Sequence, residues 1–216
     1  MGRFLKWFLS FLIVCEFLPA NIEAKAKKAR VEVRHTAPKI AIMGRSRCTE
    51  QQARSYLLKR NPKVKREFLV VIKYFWEEGR KEGVRGDVAF AKALYETNYF
   101  RFGGDVLPRQ NNFAGLGATG GRKRGCVFKT PREGIRAQIQ HLKAYASTSP
   151  LNFPCVDERF SFVKRGSAPY VEDLTGKWAW PGYDSKRFPS LSVAHRARAT
   201  YGQRIVRILN EMLRQR

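Results

Sequence analysis

The stretch that most constrains this chain runs from Gly103 to Gly121, where six glycines (103, 104, 115, 117, 120 and 121) fall within 19 residues around an Asn111-Asn112 pair. Such density serves backbone that turns through positive φ and approaches its neighbours closely, and it excludes helix over these positions. Any fold for this sequence must therefore hold a shaped loop between its regular elements.

The regular elements are mostly helical. Thr49 with Gln52 three residues on reads as a capping box opening a helix to about Lys59. Asn61-Pro62 breaks it. Phe68, Val71, Ile72, Phe75 and Trp76 then recur at helical spacing, which predicts a second helix ended by Gly83 and Gly86. Asp87 is placed to cap a third helix over Val88 to about Thr97. After the glycine stretch, Arg122-Lys123-Arg124-Gly125 reads as a turn and Cys126-Val127-Phe128 as a short strand. Thr130-Pro131-Arg132-Glu133 combines a cap, a proline at the first helical position and a closing Glu, and so starts a helix to about Ala146. A region rich in proline and aromatics, 150–190, leads to a final amphipathic helix on Tyr201, Ile205, Ile208, Leu209 and Met212. There are no internal repeats. The fold class expected is α+β, a mostly helical domain with a small β-hairpin.

Residues 1–24 read as an export signal, with Arg3 and Lys6 ahead of an apolar Trp7–Val14 stretch and a cleavage site at Ile22-Glu23-Ala24. The alternative is an uncleaved membrane anchor, for which the apolar run is short. Residues 25–41 form a basic linker and extended segment, leaving 42–214 as the domain. The net charge of +24 is not confined to a tail. Residues 25–85 carry 18 basic and 6 acidic side chains, and residues 86–216 carry 22 and 10, so each part is +12. A basic surface of this kind points to an anionic polymer as partner. Beyond the leader stand three cysteines, Cys48, Cys126 and Cys155, which allow at most one internal disulfide. Cys126–Cys155 is the pairing favoured by proximity in sequence, and three free thiols is the other reading. The spacing of Cys and His suggests no metal, and no cofactor is expected.

Acidic residues are few enough after Gly86 to take one at a time. Glu96 lies at the end of a predicted helix among Tyr95, Tyr99 and Phe100, where the helix dipole and the aromatics disfavour an ionised carboxylate. That is the state a general acid needs; a solvated helix-end Glu is the competing reading. Glu133 is accounted for by its capping position. Asp105 sits in the glycine stretch, where an Asp commonly bonds turn amides. Glu172 and Asp173 are readable as surface charge. Asn111 and Asn112 suit either an acetamido or hydroxyl group of a sugar or the backbone of their own loop. Trp178, Trp180 and Tyr183 suit either sugar stacking or packing.

The blocks Tyr95-Glu96-Thr97, Phe100 to Val106 and Gln110 to Gly121 resemble the bacterial glucosaminidase domain, a peptidoglycan-cleaving endo-β-N-acetylglucosaminidase family with a lysozyme-like fold. Gly134 to Ala146, Leu174 to Ala179 and Tyr201 to Ile205 extend the resemblance over about 42–214. It implies that Glu96 is the proton donor at the scissile glycosidic bond, with Asp105, Asn111, Asn112, Tyr183 and Tyr201 as candidate substrate-binding residues. Many members place a second acid on a hairpin after the glycine loop, but Gly120 to Phe128 contains no carboxylate here. A substrate-assisted route, in which the N-acetyl group attacks the anomeric carbon, needs only one protein acid.

The expected function is that of a secreted peptidoglycan hydrolase cutting the β-1,4 bond after N-acetylglucosamine. Its expected partners are glycan strands and anionic envelope polymers, its location secreted, periplasmic or at the envelope, and its state monomeric. Membrane contact is expected only through an uncleaved leader. A catalytically inactive wall-binding module, or a muramidase, lytic transglycosylase or amidase, is the alternative. A specific nucleic-acid partner is not expected, because no helix-turn-helix or zinc-finger spacing is present.

Overall fold

Helix α4, Gly86–Glu96, is apolar almost all round (Val88, Ala89, Phe90, Ala91, Ala93 and Leu94), and every residue from Gly86 to Leu94 is buried. A helix of that pattern can only be an interior element. The computed structural model describes residues 38–104, 106–118 and 125–216. The expected leader, most of the linker, Asp105 and the basic turn at 122–124 lie outside these described residues.

Six further helices are described. In chain order they are α1 (Glu50–Arg60), α2 (Arg66–Val70), α3 (Ile72–Glu82), α5 (Pro131–Ala146), α6 (Leu191–Arg196) and α7 (Tyr201–Leu213). Short 3-10 turns at Pro108–Gln110, Phe160–Phe162 and Val171–Leu174 connect them. Helices α3, α5 and α7 each lie against α4, and α1 lies against α3 and α7. Glycine permits the closest approach: a Cβ on Gly86 would stand 2.5 Å from the Phe75 carbonyl of α3. The core joins Phe75, Phe90, Leu94, Ile135, Ile139, Leu142, Ile205 and Leu209, all fully buried. At about 1.5–3 kcal/mol for each large apolar side chain, this set supplies most of the drive to assemble.

Local chemistry sets the helix ends. Thr49 Oγ1 accepts from Gln52 N and Gln52 Oε1 accepts from Thr49 N, which closes the capping box of α1. Thr130 Oγ1 accepts from Glu133 N at the start of α5, while Glu133 Oε2 reaches one residue further back, to Lys129 N. Gly83, at φ +71°, ends α3 in the left-handed conformation. The single helix expected from Phe68 to Gly83 is interrupted at Val71, which separates α2 from α3. Asp87 lies inside the first turn of α4, not at its cap. Its carboxylate accepts from Arg47 N, Cys48 N and the Arg85 guanidinium, and so fastens the preceding loop.

The α+β assignment with a small β-hairpin requires correction. Among the described residues there is no strand or sheet, only three isolated bridges: Ala41 with Tyr170, Met43 with Val84, and Thr175 with Ala179. Cys126-Val127-Phe128 is extended, but its amides pair with loops. Cys126 N donates to Leu116 O (2.8 Å) and Phe128 N to Gln110 O (2.9 Å). The segment that reads as a strand is thus the outer wall of the glycine-asparagine loop. The expected Cys126–Cys155 disulfide is also absent; Cys48, Cys126 and Cys155 are free thiols, and burial raises the pKa of each.

Two acids that read as surface charge have a tying role. Glu172 accepts from Ile40 N, and Asp173 pairs with Lys39 at 2.6 Å, which together hold the start of the described chain on the Val171–Leu174 turn.

Candidate functional site

Glu96 is the last residue of α4. Immediately after it the backbone turns left-handed at four non-glycine residues, Asn98, Tyr99, Phe100 and Phe102 (φ between 49° and 60°). Each such residue costs about 1–2 kcal/mol. The turn is held by Thr97, whose Oγ1 donates to Ala93 O (2.7 Å) and accepts from Phe100 N (3.0 Å). Phe100 then fills an aromatic cluster with Phe68, Phe90 and Phe113, at ring separations of 5.1, 6.0 and 5.8 Å. The helix is stopped abruptly, and its terminal carboxylate stays partly open to solvent, with 23% of the side chain exposed.

The two carboxylate oxygens of Glu96 differ. Oε1 accepts from the Tyr201 hydroxyl and from Lys92 Nζ (3.2 Å). Oε2 faces Gly115, where a Cβ would come within 3.6 Å, and accepts no hydrogen bond from a described residue. Gly115 has φ +66°, so glycine both supplies the turn and keeps the approach to Oε2 clear. One oxygen is anchored and the other is available.

Lys92 lies one turn before Glu96 and its side chain is fully buried. Its ammonium also donates to Ala114 O (3.3 Å) and stands 3.5 Å from the centre of the Trp178 ring. Burial pulls Lys92 down to about 8, against the opposing pull of Glu96. Tyr201, the first residue of α7, is buried too. Burial, with the Glu96 carboxylate beside it, pushes its hydroxyl well above 10, so it stays a donor. Trp178 is in turn braced by His141, edge-on at 4.7 Å, and His141 Nδ1 is 2.6 Å from Asp157 Oδ2.

Asn111 and Asn112 are turned toward their own loop. Asn111, at φ +52°, donates to Phe128 O (2.9 Å). Asn112 is buried, donates to Leu116 O and Cys126 O, and accepts from Ala114 N and Leu116 N. Gln110 closes the loop by donating to Gly125 O (2.9 Å). This network shapes the backbone that faces Glu96 Oε2. Asp105 lies outside the described residues, and no described carboxylate other than Glu96 bonds to the Lys92 or Tyr201 side chains.

Two cavities share walls with these residues. One of about 240 Å³ is bounded by Gly115, Trp178, His141, Arg159 and Lys177. The other, about 330 Å³, is bounded by Tyr95, Tyr201, Tyr183, Trp180 and Arg204. Tyr183 and Tyr201 therefore meet in one cavity; Glu96 lines neither, but accepts from Tyr201 of the second and faces Gly115 of the first. Trp180 is 85% exposed at the rim of the second. A larger cavity, about 1000 Å³, opens around Gly44, Cys48, Trp76 and Arg80. It carries no carboxylate held by donors. Among the described residues no group of three His, Cys, Asp or Glu side chains is arranged to hold a metal ion.

Lys92, and the support of Trp178 by His141 and Asp157, went unrecognised in the sequence. The signal for Lys92 was present: a lone cation in an otherwise apolar helix needs a partner, and a Glu stands four residues on.

A half-anchored carboxylate with buried donors behind it has the chemistry that general acid–base work requires. The family model Glucosaminidase, described as mannosyl-glycoprotein endo-beta-N-acetylglucosaminidase, matches residues 72–214. The chain belongs to the glucosaminidase family, a family of glycoside hydrolases. A protein from Borreliella burgdorferi, itself named only as uncharacterized, is 46% identical over 125 residues. The alignment covers 57% of this chain and 61% of that relative, so the chain spans about three fifths of its length. No solved structure matches the chain.

Proposed function

We propose that this protein hydrolyses peptidoglycan at the β-1,4 bond after N-acetylglucosamine, with Glu96 as the general acid. Membership of the glucosaminidase family supports the reaction class. The observation that carries the residue assignment is the asymmetry of the carboxylate, with Oε1 held by Lys92 and Tyr201 while Oε2 faces the glycine loop.

In this reading Oε2 carries the proton and passes it to the glycosidic oxygen as the bond to the anomeric carbon breaks. The charge left on Glu96 is met at once by the Lys92 ammonium and the Tyr201 hydroxyl, already in position within a low-dielectric surround. The second half of the reaction falls to the substrate. The carbonyl of its N-acetyl group attacks the anomeric carbon, and water later opens the cyclic intermediate, with Glu96 acting as base. This route is favoured because Gly120 to Phe128 supplies no second carboxylate. The +24 charge supports retention on an anionic wall, and residues 1–24 support export to it.

Purified sacculi incubated with the protein test the reading. Mass spectrometry before and after borohydride reduction should find new reducing-end N-acetylglucosamine. Reducing-end muramic acid would assign a muramidase, and anhydro-muropeptides a lytic transglycosylase. No soluble product after prolonged incubation would leave a wall-binding module.

A further inference from the structure

The two cavities beside Glu96 differ in charge. Among the described residues, the Gly115–Trp178 cavity is lined by two cations, Arg159 and Lys177, and by no carboxylate. Asp157 is buried, with Oδ2 on His141 Nδ1 and Oδ1 accepting from Arg159 N (3.0 Å), and Glu158 between them in sequence is exposed and forms no ion pair with a described residue. Neither Arg159 nor Lys177 forms an ion pair with a described residue. Arg159 stands 5.2 Å from the ring of Phe162, a side chain 74% exposed at the cavity rim. The Tyr95–Tyr201 cavity is balanced instead, with Asp184 opposite Arg204 in a lining otherwise aromatic, apolar or glycine.

Peptidoglycan alternates in the same way. One sugar is neutral, and the next bears a lactyl ether that ends in a carboxyl group or in a peptide with carboxylates. We infer that the strand lies across Glu96 in one orientation, with the carboxylated substituent in the Arg159–Lys177 cavity and the neutral sugar in the Tyr183–Trp180 cavity. A carboxylate taken up by unpaired cations beside an aromatic rim gains charge-assisted hydrogen bonds. In the opposite orientation that carboxylate would meet Asp184, and the two cations would remain without an anion. The reversed strand is disfavoured at both ends. This inference rests on the peptidoglycan reading above and adds the polarity of binding.

The test uses full-length protein carrying Glu96→Gln, so that ligands bind without turnover. Calorimetry compares a disaccharide-peptide dimer bearing free carboxylates with neutral chitotetraose, before and after Arg159→Gln with Lys177→Gln. The carboxylated ligand should lose about tenfold or more in affinity and most of its salt dependence, while chitotetraose changes by less than about twofold. Arg159→Lys should restore part of the loss if charge is what matters. Thermal unfolding monitors the fold, and the exposed Lys177→Gln alone gives a readout should the double variant be unstable. Equal loss for both ligands, or no loss for either, would overturn the inference. Wild-type protein is run on sacculi in parallel. Release of product with unchanged affinities defeats the orientation alone, whereas absence of both release and carboxylated-ligand binding defeats the hydrolase reading with it.

Discussion

Among the described residues two buried lysines pair with glutamates, Lys143 with Glu82 and Lys92 with Glu96, and their difference separates a structural clamp from the proposed reactive site. Glu82 and Lys143 join α3 to α5 at 2.8 Å, with both side chains almost wholly inaccessible. Both oxygens of Glu82 are engaged: Oε2 accepts from Lys143 Nζ and Asn152 N (2.9 Å), and Oε1 from Phe153 N (3.2 Å). Glu96 and Lys92 use the same residue types, but every described donor acts on Oε1 and the side chain remains partly exposed. A buried carboxylate with both oxygens engaged holds structure. One with a free oxygen, a buried cation behind it and partial exposure has capacity left for chemistry.

The comparison breaks if the two glutamates respond alike to amide substitution. Glu96→Gln should lower the rate of muropeptide release by about 10²–10⁴-fold, the usual worth of a general acid. Its thermal midpoint should hold to within a few degrees. Glu82→Gln should do the reverse, costing about 3–5 kcal/mol in denaturant unfolding because Lys143 is left as an uncompensated buried charge. Turnover per folded molecule should persist.

Smaller effects sharpen the account. Tyr201→Phe removes one of the two donors on Oε1 and should reduce kcat by about 10–100-fold with little change in KM, since its bond is worth most when charge has developed. Lys92→Met should lower kcat by about tenfold, and its stability cost should stay below the 3–5 kcal/mol of a broken buried pair, because the Glu96 carboxylate it leaves is partly exposed and keeps the Tyr201 hydroxyl. The pH dependence carries a definite sign. Lys92 is pulled down to about 8 from its ordinary 10.5, so between those values the unfolded chain binds a proton that the folded chain has released. This group's contribution to stability therefore rises with pH across that window. Activity should fall over the same range as Glu96 loses its cation, and both trends should vanish in Lys92→Met.

Much of the frame was legible in the sequence because local chemistry decides it. Thr49 with Gln52, and Thr130-Pro131, mark helix starts that need no tertiary information. The periodic Tyr201, Ile205, Ile208, Leu209 and Met212 likewise mark the buried face of α7. Cys126-Val127-Phe128 was misread because extended backbone has two ways to satisfy its amides. Only the folded loop shows that Leu116 and Gln110 supply the acceptors, not a second strand. The Val71 break lacks a glycine or proline to announce it. At the site, Glu96 stood out through position and neighbours, and Tyr201 was named without a known place. What no sequence distance reveals is that residue 201 reaches residue 96, or that Trp178 roofs Lys92.

The central claim is that the free oxygen of Glu96 delivers the proton, and one measurement addresses it most directly. Wild type and Glu96→Gln, matched for folded content and for binding to purified sacculi, are compared for soluble products by mass spectrometry. The account predicts reducing-end N-acetylglucosamine from the wild type and a reduction of at least about a hundredfold in the variant. Undiminished release by Glu96→Gln would contradict it.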